Sequence, residues 1–215
     1  MGALIALEGL DGAGKRTLTD AVIAALADRG LRAATLAFPR YGRSVHADLA
    51  AEALRGAHGD LADSVYAMAL LFALDRADAR AELAKLLADN DILILDRYVA
   101  SNAAYNAARL HQSAEGEMAR WTADLEYGRF GLPKPDVQVL LDVSSEVAAE
   151  RARLRGELDE SRALDAYERD GGLQRRTLEV YRELAERNWH GRWWTYRIGD
   201  DPASLAARIA EIVAR

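Results

Sequence analysis

The segment GLDGAGKRT, residues 9–17, places a lysine after three closely spaced glycines. Glycines let successive backbone N–H groups turn toward one anion, and the lysine adds a positive charge beside them. The pattern G-x-x-x-x-G-K thus predicts a loop that binds the phosphates of a nucleotide. A Ser or Thr whose hydroxyl holds Mg²⁺ usually follows the lysine, but Arg16 stands there in this chain. The predicted phosphate contacts come from Gly9, Gly12, Ala13, Gly14, Lys15, Arg16 and Thr17.

The context of the loop strengthens this prediction. The apolar run ALIALE precedes it and a helical pattern follows it, as in a phosphate-binding strand, loop and helix. A glycine-rich turn without function and a dinucleotide-binding loop are the alternatives. The latter fits less well, because it does not need Lys15 and expects an acidic residue at the end of the second strand, where Phe38, Pro39 and Arg40 stand. GTPases and motor ATPases also carry phosphate loops, so the loop alone leaves the reaction open.

Two further motifs follow predicted strands. FPRYG, residues 38–42, comes after the second strand and DRY, residues 96–98, after the third. The carboxyl ends of parallel strands meet at one edge of the sheet, so we expect Arg40 and Arg97 to converge with Lys15 on one crevice. A single arginine at a strand end is commonly a surface ion pair, whereas two beside a phosphate loop favour anion binding. Asp96 has two interpretations. It is either an acceptor that fixes an arginine or a magnesium-bound water, or it is a helix cap.

Short apolar runs rich in branched residues alternate with helical patterns along the whole chain. This alternation predicts an α/β fold with a buried parallel sheet of about five strands flanked by helices. The length of 215 residues favours a single domain spanning residues 1–215. The predicted strands are residues 4–7, 33–37, 92–95, 137–143 and 193–198.

Two segments have more than one interpretation. Residues 64–89 predict one long helix that is apolar on more than one side, which suits a buried helix or a subunit interface. Residues 151–169 are highly charged and interrupted by Gly156, which suits either a solvated helical pair or a mobile lid that carries cations.

The composition excludes several classes of protein. A net charge of −6 argues against a nucleic-acid binder, which usually carries a basic surface. The absence of cysteine excludes disulfides and thiolate metal sites. No apolar run approaches the roughly 20 residues that span a bilayer. We therefore expect a cytoplasmic protein without a membrane or nucleic-acid partner.

The chain resembles bacterial thymidylate kinases through four motifs, ALEGLDGAGK, FPRYG, DRYVASNAAY and DAYERD. The residues of FPRYG and DRYVASNAAY are most similar to those of actinobacterial members. The resemblance covers essentially the whole length. It implies the three-layer fold of P-loop nucleoside monophosphate kinases, with a small lid at about residues 151–168. It also implies transfer of the γ-phosphoryl group of ATP to dTMP, with Mg²⁺, by a homodimer.

The resemblance further implies which residues bind dTMP. It places the thymine ring against Phe72, with Arg76 and Asn102 reading the base and Tyr105 beside the sugar. Residues four apart share a helix face, which agrees with an aromatic platform at Phe72 and donors at Arg76. The residues alone would favour Phe72 as core and Arg76 as its solvated neighbour. The full implied set is Phe38, Pro39, Arg40, Tyr41, Phe72, Arg76, Arg97, Ser101, Asn102, Tyr105, Asp165 and Tyr167. A cis bond between Phe38 and Pro39 is a further hypothesis.

The catalytic groups are assigned on the same resemblance. Transfer between two phosphates needs alignment and positive charge more than a general base. We expect Lys15, Arg97, Arg155 and Asp11 to act in catalysis, and Arg151 and Arg155 to reach ATP. Among the arginines of the lid region, Arg151, Arg153, Arg155 and Arg162, we favour Arg155 for the transferring group. Because Arg16 replaces the usual hydroxyl, we expect Mg²⁺ at Asp11 and Glu168.

Other functions remain open from the sequence. A different nucleoside monophosphate, a nucleoside acceptor, or a nucleotide-binding switch protein without turnover would each use a phosphate loop. A nucleoside hydroxyl would need a carboxylate base, whereas the arginines at the acceptor side favour a phosphate acceptor.

Overall fold

The computed structural model describes residues 2–158, 167 and 171–214, and of residues 155–158 it describes the backbone alone. Five parallel strands form one sheet in the order β2-β3-β1-β4-β5. The predicted α/β fold with five parallel strands is therefore confirmed. The strands are β1 (Ala3–Glu8), β2 (Ala33–Ala37), β3 (Ile92–Asp96), β4 (Val137–Leu141) and β5 (Arg192–Tyr196).

Helices connect the strands and lie on both faces of the sheet. They are α1 (Lys15–Ala27), α2 (Val45–Leu54), α3 (Val65–Asp78), α4 (Arg80–Asp89), α5 (Val99–Arg109), α6 (Glu117–Ala123), α7 (Ser145–Leu158), α8 (Gly171–Glu186) and α9 (Pro202–Val213). A short 3₁₀ turn covers Leu61–Asp63, and a π-helical turn covers Asp124–Arg129 directly after α6.

The alternation of side chains along the strands produces the three layers. Ile5 and Leu7 of β1 pack on one face with α1 and α9, whereas Leu4 and Ala6 pack on the other face with α4. A strand buried on both faces must be apolar at every position, which explains the uninterrupted run in β1. Within the described residues, no helix has the length and apolar character needed to cross a membrane.

The register of the strands brings the motifs to one edge of the sheet. Leu7 of β1 and Ala37 of β2 both pair with Asp96 of β3. The segments that begin at Gly9, Phe38 and Arg97 therefore leave the sheet at nearly the same height. This alignment builds the crevice into which the site residues project.

The predicted long helix at residues 64–89 is interrupted. Helix α3 ends at Asp78 and α4 begins at Arg80. The N–H of Ala79 is shared between the carbonyl oxygens of Asp75 (3.2 Å) and Arg76 (3.1 Å), which tightens the last turn of α3. The apolar pattern continues across this turn, so periodicity alone does not reveal it.

Helix α7 packs directly against the phosphate loop at Gly12. The backbone of Gly12 has a φ of +79°, and a Cβ atom at this position would overlap the carbonyl oxygen of Ala148 in α7. Glycine is therefore required twice, for the backbone conformation and for the close approach of the helix.

Substitution of Gly12 separates these two requirements when it is compared with Gly59. The backbone of Gly59 has a φ of +64°, but open space surrounds its missing Cβ. We expect Gly59→Ala to cost about 1–2 kcal/mol of unfolding free energy for the left-handed backbone alone. Gly12→Ala should cost clearly more, because the overlap with α7 adds to the strain. Urea-induced unfolding measures both, and equal losses would contradict the steric role of Gly12.

Candidate active site

A cleft of about 860 Å³ opens at the carboxyl edge of the sheet. One part of its wall is the phosphate loop and another comes from α3 and α5. The predicted residues that line it are Asp11, Gly12, Gly14, Lys15, Arg16, Thr17, Phe38, Pro39, Tyr41, Phe72, Arg76, Arg97, Ser101, Asn102, Tyr105, Arg151 and Tyr167. The structure therefore brings most of the predicted site residues to a single cavity.

Lys15 begins helix α1 and is only 7% exposed. Its Nζ donates hydrogen bonds to the carbonyl oxygens of Gly9 (3.2 Å) and Leu10 (2.9 Å), so its side chain folds back over its own loop. Burial is the main cause that lowers the pKa of Lys15 to about 8, and the nearby positive charge of Arg97 adds to this effect.

Arg16 and Thr17 occupy the next two positions of α1 and are exposed. Both line the cleft, as expected for residues in the first turn of a helix that points at it. Arg151 of α7 lies across the loop, and its Nη1 is 3.5 Å from the carbonyl oxygen of Ala13. Cations from two helices thus border the loop.

Arg97 follows β3 with a left-handed backbone (φ +67°), and its N–H donates to the carbonyl oxygen of Leu7 (2.9 Å). This conformation is costly for a side chain other than glycine and is typical of functional positions. The guanidinium pairs with Asp11 at 2.8 Å and lies over the ring of Tyr105 at 5.1 Å. Burial opposes its charge, yet the negative charge of Asp11 holds the pKa of Arg97 well above its ordinary value.

Asp11 projects from the phosphate loop toward α5. Its Oδ2 accepts from Arg97 and from the hydroxyl of Tyr105 (3.1 Å). Burial alone would raise the pKa of Asp11, but the charges of Arg97 and Lys15 lower it overall. Asp11 is therefore an anion inside the cleft.

A buried carboxylate, Glu8, supports Arg97 and was not predicted. Its oxygens accept from the N–H of Tyr98 (2.9 Å), from Ser101 Oγ (2.6 Å) and from the hydroxyl of Tyr181 (3.1 Å). Ser101 and Tyr181 in turn contact Arg97 Nη1, at 3.1 and 3.4 Å. Burial raises the pKa of Glu8 despite these hydrogen bonds. An acidic residue that ends an apolar strand is the signal that could have found it.

A second unpredicted carboxylate, Glu126, contacts two residues that line the cleft, Arg76 and Asn102. It is fully buried and accepts from Arg76 Nε (2.5 Å), Arg76 Nη2 (2.8 Å) and Asn102 Nδ2 (2.8 Å). Phe72 is half-buried one turn before Arg76 on α3 and lines the same part of the cleft. Glu126 is distant in the sequence and belongs to none of the motifs, so the sequence contains no local signal for it.

The bond between Phe38 and Pro39 is cis, which confirms that hypothesis. The expected convergence of Arg40 with Lys15 is not found. Arg40 is not among the described residues that line the cleft, and its guanidinium pairs with Asp75 at 2.8 Å, Asp78 at 2.7 Å and Glu82 at 3.5 Å. These three carboxylates on α3 and α4 contact Arg40 at the same time and so fix the turn that follows β2. Tyr41 lies on this turn and is half-exposed.

Tyr167 is the described residue of the DAYERD motif. Its ring stacks on that of Tyr105, with 6.3 Å between the centroids, and its hydroxyl accepts from Arg109 Nη1 (2.5 Å). Tyr167 thus reaches the cleft, as expected. The predictions for Arg162, Asp165 and Glu168, and for the side chain of Arg155, lie outside the described residues.

The pKa of Lys15 can be measured without disturbing the protein, because the chain has only three lysines, Lys15, Lys85 and Lys134. With ¹³C-labelled lysine, NMR titration should show Lys15 losing its proton near pH 8, since burial disfavours the charged form. Lys85 should lose its proton above its ordinary value of 10.5, because Asp89 accepts from it. Lys15→Met assigns the resonance, and a midpoint at or above 10.5 for Lys15 would contradict its burial.

Comparison with known proteins agrees with this geometry. The family model for thymidylate kinase matches residues 7–193. The thymidylate kinase of Mycobacterium tuberculosis is 59% identical over 207 residues, which cover 96% of this chain and 97% of the relative. Human thymidylate kinase is 31% identical over 183 residues, which cover 85% of this chain and 76% of the relative. The extent of these matches, together with the phosphate loop and the motifs that share its cleft, shows that the chain belongs to the thymidylate kinase family.

Proposed function

We propose that this protein transfers the γ-phosphoryl group of ATP to dTMP, giving ADP and dTDP. The observation that carries the proposal is one cleft lined both by a phosphate loop and by Phe72 with the buried Arg76 and Asn102. Arg97 lies in the same cleft. A nucleoside monophosphate has a base and a phosphate at its two ends, which matches this distribution of groups.

The donor phosphates bind at the phosphate loop. The N–H groups of Gly9, Gly12, Ala13 and Gly14 and the positive end of α1 stabilise the anion, while Lys15 adds its charge. Arg16, Thr17 and Arg151 lie where they can contact a polyphosphate.

The acceptor phosphate binds beside Arg97 and Tyr41. A guanidinium held by Asp11 keeps its orientation before the substrate arrives, so little reorganisation is needed at the moment of reaction. Arg40 acts by positioning the turn that carries Pro39 and Tyr41 and not by touching the phosphate.

The thymine ring stacks on Phe72 and its polar edge meets Arg76 and Asn102. The hydroxyl of Tyr105 contacts Asp11 and Arg97, which fixes the tyrosine ring next to the sugar. A ring held in this way would crowd a ribose 2′-hydroxyl, so Tyr105 contributes to the choice of deoxyribose.

Magnesium fits the donor set of the cleft. Asp11 is ionised, and both of its contacts fall on Oδ2. Asp96 also lines the cleft, and its Oδ1 is buried without a hydrogen-bond partner within the described residues. Mg²⁺ is usually bound by one or two carboxylates together with substrate phosphates and water. Asp11 and Asp96, with Glu168, would hold the ion, which would neutralise charge on the phosphates.

The chemistry requires alignment rather than proton removal. An oxygen of the acceptor phosphate attacks the γ-phosphorus from the side opposite the β-phosphate oxygen. The bond between the γ-phosphorus and that β-phosphate oxygen breaks, and ADP leaves. Lys15 and Arg97 balance the negative charge that both substrates bring into the cleft. Arg155 is proposed to reach the transferring group from the lid, which would exclude water when it closes.

A homodimer in the cytoplasm is also proposed. Tyr66 and Leu70 lie one turn apart on α3 and are 38% and 39% exposed, so they form an apolar patch suited to a second copy. The cytoplasm is the compartment in which ATP and nucleotide precursors are available together.

A panel of acceptors tests the proposed function. With ATP and Mg²⁺, a coupled ADP-release assay should show turnover with dTMP at least about tenfold higher in kcat/KM than with AMP or dCMP. Thymidine without a phosphate should not react, because it lacks the anion that Arg97 would bind and align in the cleft. Absence of turnover with dTMP would contradict the proposed function.

The role of Arg155 is tested against a neighbouring arginine. Arg155→Ala should lower kcat by more than about tenfold and leave the affinity for dTMP nearly unchanged, since the group acts on the transferring phosphoryl. Arg153 pairs with Glu150 on the surface of α7, at 2.8 Å, so Arg153→Ala is the matched control. Equal kcat values for Arg155→Ala and wild type would reject the assignment.

A further inference from the structure

Glu126 holds both groups that face the base end of the cleft. Its carboxylate is fully buried in the π-helical turn Asp124–Arg129, a rare geometry that often marks functional positions. Three N–H donors converge on its two oxygens, two from Arg76 and one from Asn102. A single acid thus contacts both side chains and helps to orient them.

The contact with Glu126 determines which end of the Asn102 amide a ligand meets. An ionised carboxylate only accepts hydrogen bonds, so Asn102 must turn its Nδ2 toward it. The second N–H of this group donates to the carbonyl oxygen of Ala69 (2.9 Å), so Nδ2 has no donor left. The Oδ1 atom accepts from Asn106 Nδ2 (2.9 Å) and retains a second lone pair. Asn102 therefore offers the cleft an acceptor.

Arg76 offers the opposite polarity. A guanidinium has five N–H donors and no acceptor, and Glu126 takes one donor from Nε and one from Nη2. Nη1 and the second N–H of Nη2 are not engaged by Glu126, and Arg76 lines the cleft. The two side chains together present one donor group and one acceptor group.

This pair of groups matches one class of pyrimidine. Thymine and uracil present an acceptor at O4 and a donor at N3–H, whereas cytosine presents a donor at its 4-amino group and an acceptor at N3. We propose that Glu126 is a specificity-determining positioning residue that fixes the polarity of Arg76 and Asn102 and thereby selects 4-oxopyrimidine nucleotides over cytosine nucleotides. The inference rests on the proposed function and names the residue that sets its base specificity.

Glu126→Gln tests this role with almost no change in size. A glutamine has a donor as well as an acceptor, so only the carbonyl oxygen of Ala69 still opposes a rotation of Asn102 that offers Nδ2 to the base, while Arg76 loses its charged partner. We expect kcat/KM for dTMP to fall about tenfold or more, mainly through KM. The ratio of kcat/KM for dCMP to that for dTMP should rise at least about tenfold. The ratio for dUMP to dTMP should not change, because both bases present the same polar edge.

Two controls separate this effect from a general loss of structure. Glu115 also pairs with an arginine, Arg187, but at the exposed surface, so Glu115→Gln should keep wild-type kinetics. Deoxyribose 5-phosphate lacks a base, and its slow phosphorylation should be the same in wild type and Glu126→Gln. Circular dichroism and thermal unfolding check that each variant is folded.

Several outcomes would overturn the inference. One is a folded Glu126→Gln variant with wild-type kinetics and an unchanged dCMP ratio. Another is an equal loss with dTMP, dCMP and deoxyribose 5-phosphate, which would indicate a purely structural role. Should Glu126→Gln not fold, Glu126→Asp retains the charge but withdraws it from Arg76 and Asn102, and the same ratios apply.

The wild-type protein provides a test that needs no variant. N3-methyl-dTMP lacks the N3–H donor and should lose at least about tenfold in kcat/KM relative to dTMP. Equal use of dTMP, dCMP and N3-methyl-dTMP by wild type would overturn the inference. If wild type does not phosphorylate dTMP at all, the proposed function fails instead. If dTMP is phosphorylated and the rate does not depend on Glu126, the proposed function is retained and only the inferred role of Glu126 is rejected.

Discussion

The pairing of largely buried arginines with carboxylates is the constraint on which the site depends. Removing a guanidinium from water costs several kcal/mol, and leaving it unpaired would cost more than most single interactions can offset. Each arginine therefore lies against an acid that comes from another element, so the pairs also join the elements. The pairs are Arg97 with Asp11, Arg76 with Glu126 and Arg40 with Asp75.

The number of acids around each arginine determines how many of its N–H donors are already engaged. Arg40 contacts three carboxylates and the carbonyl oxygen of Asp75, and these contacts use Nε, Nη1 and Nη2 alike. Arg76 contacts one carboxylate, through Nε and Nη2, and among the described residues Nη1 has no hydrogen-bond partner. Arg97 shares its donors between one carboxylate and hydroxyl groups, which are weaker partners that an anion can displace. The three arginines carry the same charge, but the structure leaves them with different numbers of N–H donors for further contacts.

Local spacing predicted the features that depend on neighbouring residues. The strands follow from short runs of branched residues, and the phosphate loop follows from glycines within six positions of Lys15. The alignment of FPRYG and DRY at one edge follows from the rule that parallel strands end together. The break at Ala79 was missed, because a tightened turn leaves the apolar pattern unchanged. These successes and this failure all concern contacts within one or two elements.

The partners of the arginines could not be predicted, because they are separated in the sequence. Glu126 lies 50 residues from Arg76, and Asp75 lies 35 residues from Arg40. A motif that contains an arginine does not reveal whether packing will bring it one acid or three. FPRYG alone favours Arg40 as a phosphate contact, and it does not reveal that α3 and α4 carry acids that pair with this arginine.

Lys15 and Arg16 show how two adjacent cations come to differ. Successive residues of a helix point about 100° apart, so Lys15 turns inward over the loop while Arg16 points outward to solvent. Lys15 donates to the carbonyl oxygens of Gly9 and Leu10, which are neutral partners, while burial and the nearby charge of Arg97 lower its pKa to about 8. A phosphate at the loop would replace neutral acceptors by an anion and so raise the pKa of Lys15. A bound phosphate would therefore stabilise the buried lysine as a cation more than it would stabilise Arg16, which is already solvated.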